Sequence, residues 1–337
     1  MTENKNPDIS RNIAIELVRS TEAAALMSAR WMGRGDKESG DQAAVDALRK
    51  ILNTIDINGT VVIGEGDKDE APMLYHGEKV GTGVGPDVDI AVDPVEGTRL
   101  LANGQPNAVC VIAVAEQGAF YRWEDIAYMD KIAVGPRSAG HIDITKSVTW
   151  NLNSVAKAKG MDVRSLTIVV LDRPRHKDLV QEIRDVGARI RMIQDGDVAG
   201  ALMAAMHDTG IDMLMGIGGA PEAVITAAAL KCIGGEIQAK LWLRNKDERQ
   251  LVEDRGIDVD RVFHTHDLVS GNDINVSVTG LTDGELLDGV KFTSRGAWTE
   301  SIVLRSASGT YRKIETLHQP RKLHNLDEVM TIAPPVV

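Results

Sequence analysis

From about residue 145 onward, helical and strand patterns take turns, and this alternation limits what the chain can fold into more than any other feature. Helical periodicity over residues 147–159, 176–187, 197–206 and 221–232 alternates with short apolar runs at 166–171, 189–193 and 212–216. Helices and strands in that order bury their apolar sides on one another, which predicts a parallel α/β sheet. The first half gives a helix over 10–32, where Ile13, Leu17, Ala24 and Met27 share a stripe. A second helix over 41–54 sets Ala44, Val45, Leu48, Ile51 and Leu52 at helical spacing. Strands are expected at 60–64, 87–93 and 107–115, and again at 274–279, 300–306 and 310–317. No repeat or low-complexity linker interrupts the chain, so two closely packed halves are expected, residues 1–145 and 146–337.

A length of 337 residues with 43% hydrophobic content suits two α/β layers. No apolar run approaches the roughly 18 residues of a membrane span. The N-terminal segment is polar and carries no signal-like apolar stretch, so a cytoplasmic product is expected. The net charge of −11 comes without a basic block, which argues against a nucleic-acid partner. Cys110 and Cys232 both lie in apolar surroundings and read as buried structural thiols. The eight histidines have no metal-binding spacing.

Chemistry concentrates in polar motifs that end the strands. Asp93-Pro94-Val95-Glu96-Gly97-Thr98 follows the run 87–92 and offers two carboxylates and a hydroxyl. Strand geometry carries Asp93 to the strand's end, Pro94 fixes the exit, and Glu96 points back across a tight turn. Gly97 lets a phosphate oxygen approach the main chain. Oxygen ligands of this kind select Mg2+ or Mn2+ over zinc. A charged turn after a buried strand is the alternative. Asp41 opens the second predicted helix and, taken alone, reads first as an N-cap, with a place at the ligand-bearing sheet edge as the alternative. Glu65 stands between Gly64 and Gly66 after Val61, Val62 and Ile63, and Asp67, Asp69 and Glu70 follow it. One of these could polarise a nucleophilic water.

Gly218-Gly219-Ala220-Pro221-Glu222 lies between a strand and a helix, with Pro221 suited to the first turn and free helix N–H groups suited to phosphate. Glu222 is either a ligand or a complement to the helix dipole. Asp172-Arg173-Pro174-Arg175-His176 follows the run 166–171, and its two arginines can grip a phosphate bidentately. Asp195-Gly196-Asp197 adds carboxylates suited to sugar hydroxyls. Tyr128 reads as packing or as a phosphate contact.

In their order these motifs resemble the class II fructose-1,6-bisphosphatases, members of the lithium-sensitive sugar and inositol phosphatase superfamily. The resemblance runs from about Ile13 to His318. It rests on Gly33-Arg34-Gly35-Asp36-Lys37 with Asp41, Val62-Ile63-Gly64-Glu65-Gly66 with Asp69-Glu70-Ala71-Pro72, and Asp93 to Thr98. Arg173-Pro174-Arg175-His176, Asp195-Gly196-Asp197 and Gly218 to Glu222 complete it. It implies a layered α/β/α/β/α fold with the site between the halves. It implies metal ligation by Asp41 and Glu65 at one ion and by Asp93, Glu96 and Glu222 at another. Substrate contacts are implied for Glu96, Gly97, Thr98, Tyr128, Arg173, Pro174, Arg175, Asp195, Gly196, Asp197 and Gly219. Some relatives carry Lys at the Arg173 position.

The expected activity is metal-dependent hydrolysis of the 1-phosphate of fructose 1,6-bisphosphate, a gluconeogenic step, with more than one Mg2+ or Mn2+ per site. Thr98, oriented by a loop carboxylate for which Asp69 is the first choice, is expected to position and deprotonate the water. The arginines and Gly219 are expected to anchor the other phosphate. Sedoheptulose 1,7-bisphosphate and inositol-phosphate hydrolysis are rival activities, and a non-catalytic phosphosugar-binding protein is the rival of another class. The expected partner is a small phosphosugar, with neither nucleic acid nor membrane. The chain is expected to form a homo-oligomer, either a dimer or a tetramer.

Overall fold

The computed structural model describes residues 13–64, 74–122 and 127–321. Two helices lead, α1 (Ile13–Ser28) and α2 (Lys37–Leu52), followed by β1 (Asn58–Ile63), β2 (Lys79–Val80) and β3 (Asp87–Glu96). Then come α3 (Thr98–Asn103), β4 (Val109–Glu116), β5 (Tyr128–Val134) and α4 (Val148–Lys159). The alternating stretch holds β6 (Thr167–Leu171), α5 (Lys177–Val186), β7 (Arg189–Ile193), α6 (Asp197–Ala205), β8 (Met213–Gly219), α7 (Ala220–Ile233) and β9 (Glu236–Leu241). The remainder is α8 (Lys246–Arg255), β10 (Phe263–His264), α9 (Thr265–Leu268), β11 (Asn275–Gly280), β12 (Lys291–Thr293), β13 (Gly296–Arg305) and β14 (Thr310–His318).

Among the described residues the strands form two sheets. The first runs β12-β13-β11-β4-β3-β1-β2 with β14 beside β13, and the second runs β10-β9-β5-β8-β6-β7. Three apolar clusters set the layers. Residues of α1 and α2, among them Leu17, Leu26 and Leu48, pack on one face of the first sheet, which presents Cys110 and Ile112. The opposite face, including Val109, Val111 and Ala113, packs on α6 and α7, which also cover the second sheet. Helices α4 and α5 close that sheet's far side around Ile168, Val170, Met213 and Met215. The order is therefore α/β/α/β/α. A sheet covered on both faces explains why Val109 to Ala115 is apolar without alternation.

Two expectations change. The alternating stretch predicts parallel pairing, and β6 does run parallel to β7 and β8. The same sheet, however, takes β5 antiparallel against β8 and β9, so it is mixed. Nor does a division at residue 145 follow the sheets: β5 lies before it in the second sheet, and β11 to β14 return to the first. Both cysteines are free and buried, as expected.

Candidate active site

Strand β3 does not stop at Asp93 as its apolar run suggests but continues through Pro94 to Glu96. Asp93 pairs with Val111 and Glu96 with Val109, so three steps on β3 match two on β4. This extra residue is a bulge, and it decides the chemistry. Side chains three apart on a regular strand face opposite ways, whereas partners two apart on β4 place Asp93 and Glu96 on one side. The tight turn expected to return Glu96 is thus a bulge within the strand. Thr98 opens α3 behind Gly97, whose φ of +96° suits glycine.

These residues form one wall of a cleft of about 450 Å³. The opposite wall comes from the second sheet, where β6, β7 and β8 are parallel and their carboxyl ends share an edge, the usual ligand position in such sheets. Arg173 and Arg175 follow β6, Asp195 to Asp197 follow β7, and Gly218 and Gly219 end β8 with Pro221 and Glu222 just beyond, with Tyr128 beside them at the start of β5. Ten of the eleven substrate contacts implied by the sequence line the cleft directly: Glu96, Gly97, Thr98, Tyr128, Arg173, Arg175, Asp195, Gly196, Asp197 and Gly219. Pro174 instead starts the short turn between the arginines.

The basic wall is held by β8. Arg175 donates through Nη2 and Nε to the Ile217 carbonyl, at 2.7 and 3.3 Å. Its guanidinium also stacks on Tyr128, 5.2 Å from the ring centre, and Arg244 stacks on the same ring at 5.3 Å. The Ile217 N–H donates to His176 Nε2 at 2.7 Å. His176 Nδ1 lies 2.7 Å from the Leu171 carbonyl, so it carries the proton and the ring is neutral. Burial, the largest influence, holds that imidazole below its ordinary pKa. Arg173 reaches Asp195 at 3.5 Å.

The acidic groups are crowded. Burial raises Asp93 well above the ordinary carboxylate range, and Glu96, Glu222 and Asp41 push it further. Burial also raises Glu96, followed by Asp197, against the opposing hydrogen bond from Val198. Glu222 is raised by burial and then by Asp197. Glu96 Oε1 accepts from the Val198 amide at 3.0 Å and Oε2 from Ala199 at 3.5 Å, so Glu96 caps α6 from another sheet.

Asp41 differs from its expected place. Helix α2 begins at Lys37, and its N-cap is Asp36, which accepts from the Ser39 amide at 3.0 Å. Asp41 is buried within the helix, outside the cleft lining, near enough for its charge to raise Asp93. Glu65 and Asp69, together with Asp67 and Glu70, lie outside the described residues.

Two residues escaped sequence reasoning, one lining the cleft and one buried against its lining. Arg244 lines the mouth just after β9, a strand without a recognised signal. Lys131 is buried on β5 and pairs with Asp197. Its signal was the apolar alternation Met129, Lys131, Ala133, which places it on an inward face.

The donor set fits hard divalent cations: it is all oxygen, and buried like charges raise one another for want of a counter-charge. Glu222 Oε2 is sealed from solvent without a hydrogen-bond partner, an arrangement a cation would satisfy. Among the described residues no three acidic, histidine or cysteine side chains yet close around an ion. Glu96 is turned to the α6 amides and Asp197 to Lys131. No helix among the described residues is long and apolar enough to cross a membrane.

Residues 11–318 match the profile of a family described as "Bacterial fructose-1,6-bisphosphatase, glpX-encoded". A fructose-1,6-bisphosphatase 1 class 2 of Escherichia coli (strain K12) is 44% identical over 321 residues, 91% of this chain and 95% of that protein. The class 2 fructose-1,6-bisphosphatases of Escherichia coli O6:H1 and Shigella flexneri match with the same identity and coverage.

Proposed function

The chain belongs to the bacterial class 2 fructose-1,6-bisphosphatase family, and from that premise we propose a role for each residue of the cleft. The protein is a phosphoric monoester hydrolase that converts fructose 1,6-bisphosphate to fructose 6-phosphate and phosphate. The observation that carries the assignment of roles is the cleft's arrangement of charge: Asp93 and Glu96 on the β3 wall stand opposite the wall that carries Arg173 and Arg175 after β6, and Glu222 from that second wall joins the acidic group through its charge on Asp93. A substrate with a phosphate at each end spans such a cleft with one phosphate on each wall.

Asp41, Glu65, Asp93, Glu96 and Glu222 are the residues that would hold Mg2+ or Mn2+, more than one ion per site. When bound, such ions neutralise the phosphoryl oxygens, acidify the attacking water and stabilise the leaving oxygen. Thr98 Oγ1, at the half-buried start of α3, orients the water for in-line attack, and Asp69 accepts its proton. Arg173, Arg175, Tyr128 and the Gly219 backbone grip the phosphate that does not react, which contributes positioning rather than chemistry. The stacking of Arg175 on Tyr128 and its bonds to Ile217 support this role, since they fix the guanidinium before substrate arrives. Asp195, Gly196 and Asp197 face the sugar hydroxyls.

A panel of fructose 1,6-bisphosphate, sedoheptulose 1,7-bisphosphate and inositol phosphates, assayed for phosphate release with products identified, tests the reading. Fructose 6-phosphate as the sole sugar product supports it. Release of the 6-phosphate would reverse the two walls.

A further inference from the structure

Lys131 is 2% exposed, halfway along a central strand and close enough to Glu222 for its charge to act on that carboxylate. Its Nζ donates to the Asp197 carboxylate and, at 3.0 Å, to the Gly219 carbonyl. Room for this is built into the backbone. A Cβ on Gly218 would stand 2.7 Å from Nζ and overlap the Asp197 carboxylate, so only glycine admits the pair. Burying an ammonium and a carboxylate costs several kcal/mol each, and such pairs gain little stability over apolar packing. A reason other than stability is needed.

Both acceptors belong to the cleft, and they come from different turns. Asp197 opens α6 after β7, while Gly219 ends β8 as the N-cap of α7. One ammonium therefore ties the two turns together. It also occupies Oδ2 of Asp197, leaving Oδ1 to accept from a ligand.

We propose that Lys131 is a positioning residue for the sugar: it holds Asp197 with Oδ1 presented to a substrate hydroxyl, the Gly219 carbonyl serving to fix the ammonium in place. The proposal rests on the reading of Asp197 as a sugar contact. It separates Lys131 from a simple counter-charge, because a counter-charge would affect every anion in the cleft alike, whereas a positioning residue affects the sugar.

The test measures, by calorimetry with Mg2+ present, the binding of fructose 6-phosphate and of inorganic phosphate to wild type, Lys131→Met, Asp197→Asn and the double variant. Lys131→Met is expected to weaken fructose 6-phosphate about tenfold and leave inorganic phosphate within about twofold, the loss of one charge-assisted contact. The double variant is expected to bind fructose 6-phosphate no more weakly than Asp197→Asn alone, because Lys131 acts through Asp197. Should Lys131→Met fail to fold around an unpaired Asp197, the double variant removes that charge, and its comparison with Asp197→Asn decides. Equal weakening of both ligands, unchanged fructose 6-phosphate binding in Lys131→Met, or multiplying defects in the double variant would overturn the proposal while leaving the reading of Asp197 intact. Unchanged sugar binding in Asp197→Asn would instead overturn the reading of Asp197, and the proposal with it.

Discussion

Gly196 connects backbone strain to the position of a proposed metal ligand, and replacing it with alanine separates the two effects. Its φ is +87° as the N-cap of α6. Holding an L-residue in that region costs about 1–2 kcal/mol. With an unfolding entropy of about 2.1 cal/mol/K per residue, a chain of 337 residues loses roughly 1.4 °C per kcal/mol. Gly196→Ala should therefore melt about 1.5–3 °C lower. The new Cβ would also sit 3.3 Å from Glu96 Oε2 and 3.5 Å from Leu100 Cδ1, so Glu96 must yield by a few tenths of an ångström. A misplacement of about 1 Å at an active site costs around 100-fold, which scales to roughly three- to tenfold in kcat/KM here. Gly160 is the matched control. It caps α4 at φ +67° with nothing within 4 Å of its Cβ position. Gly160→Ala should lose similar stability and keep full activity. Thermal melts without divalent ion and steady-state kinetics with saturating Mg2+ read both quantities. Full kcat/KM in Gly196→Ala would refute the link between the α6 terminus and Glu96. Equal activity loss in both variants would show that the defect is global.

Asp41→Asn should lower kcat at least tenfold at saturating metal, whereas Asp36→Asn should stay near normal because Asn caps nearly as well; near-normal kcat in Asp41→Asn would remove that residue from the ligand set. Arg175→Ala should raise KM for fructose 1,6-bisphosphate about 10- to 100-fold, the cost of a lost charge-assisted bond of roughly 1.5–3 kcal/mol. The defect should shrink with fructose 1-phosphate, which lacks the gripped group, and equal losses would place Arg175 on the reacting phosphate. In the metal-free protein Asp93, Glu96 and Glu222 are raised, chiefly by burial, above the ordinary carboxylate range near 4. Groups raised in the fold contribute stability that is present at low pH and lost as pH climbs through the raised values. The metal-free melting temperature should thus fall as pH rises above the ordinary carboxylate range, and Mg2+ should restore it by neutralising the ionised carboxylates; a rise in that direction would contradict the crowding.

What the sequence made legible is local. Asp93 and Glu96 announce their chemistry through strand, proline and glycine, and the α4, α6 and α7 patterns fall within two residues of the observed helices. Their common face was not legible, because the bulge depends on which β4 residues pair with them. Asp41 looked like a cap because the predicted helix began at its apolar stripe. The true start, at Lys37, is set by Asp36 before any apolar residue enters. Strand β5 was hidden for a related reason. Asp130 and Lys131 interrupt its apolar run, and the buried Lys131 is accommodated because Asp197 and Gly219 arrive from elsewhere in the chain. The clamp of His176 and Arg175 on Ile217 spans about forty residues, beyond any local pattern.

The central claim is that an all-oxygen acidic cleft hydrolyses the bisphosphate through bound divalent ions. Protein stripped with chelator and titrated with Mg2+ or Mn2+, while phosphate release from fructose 1,6-bisphosphate is recorded, tests it directly. The account predicts no turnover in excess chelator and recovery as the ion is restored, with Glu222→Gln failing to recover at any concentration. Full turnover in chelator, or full recovery by Glu222→Gln at the wild-type ion concentration, would contradict it.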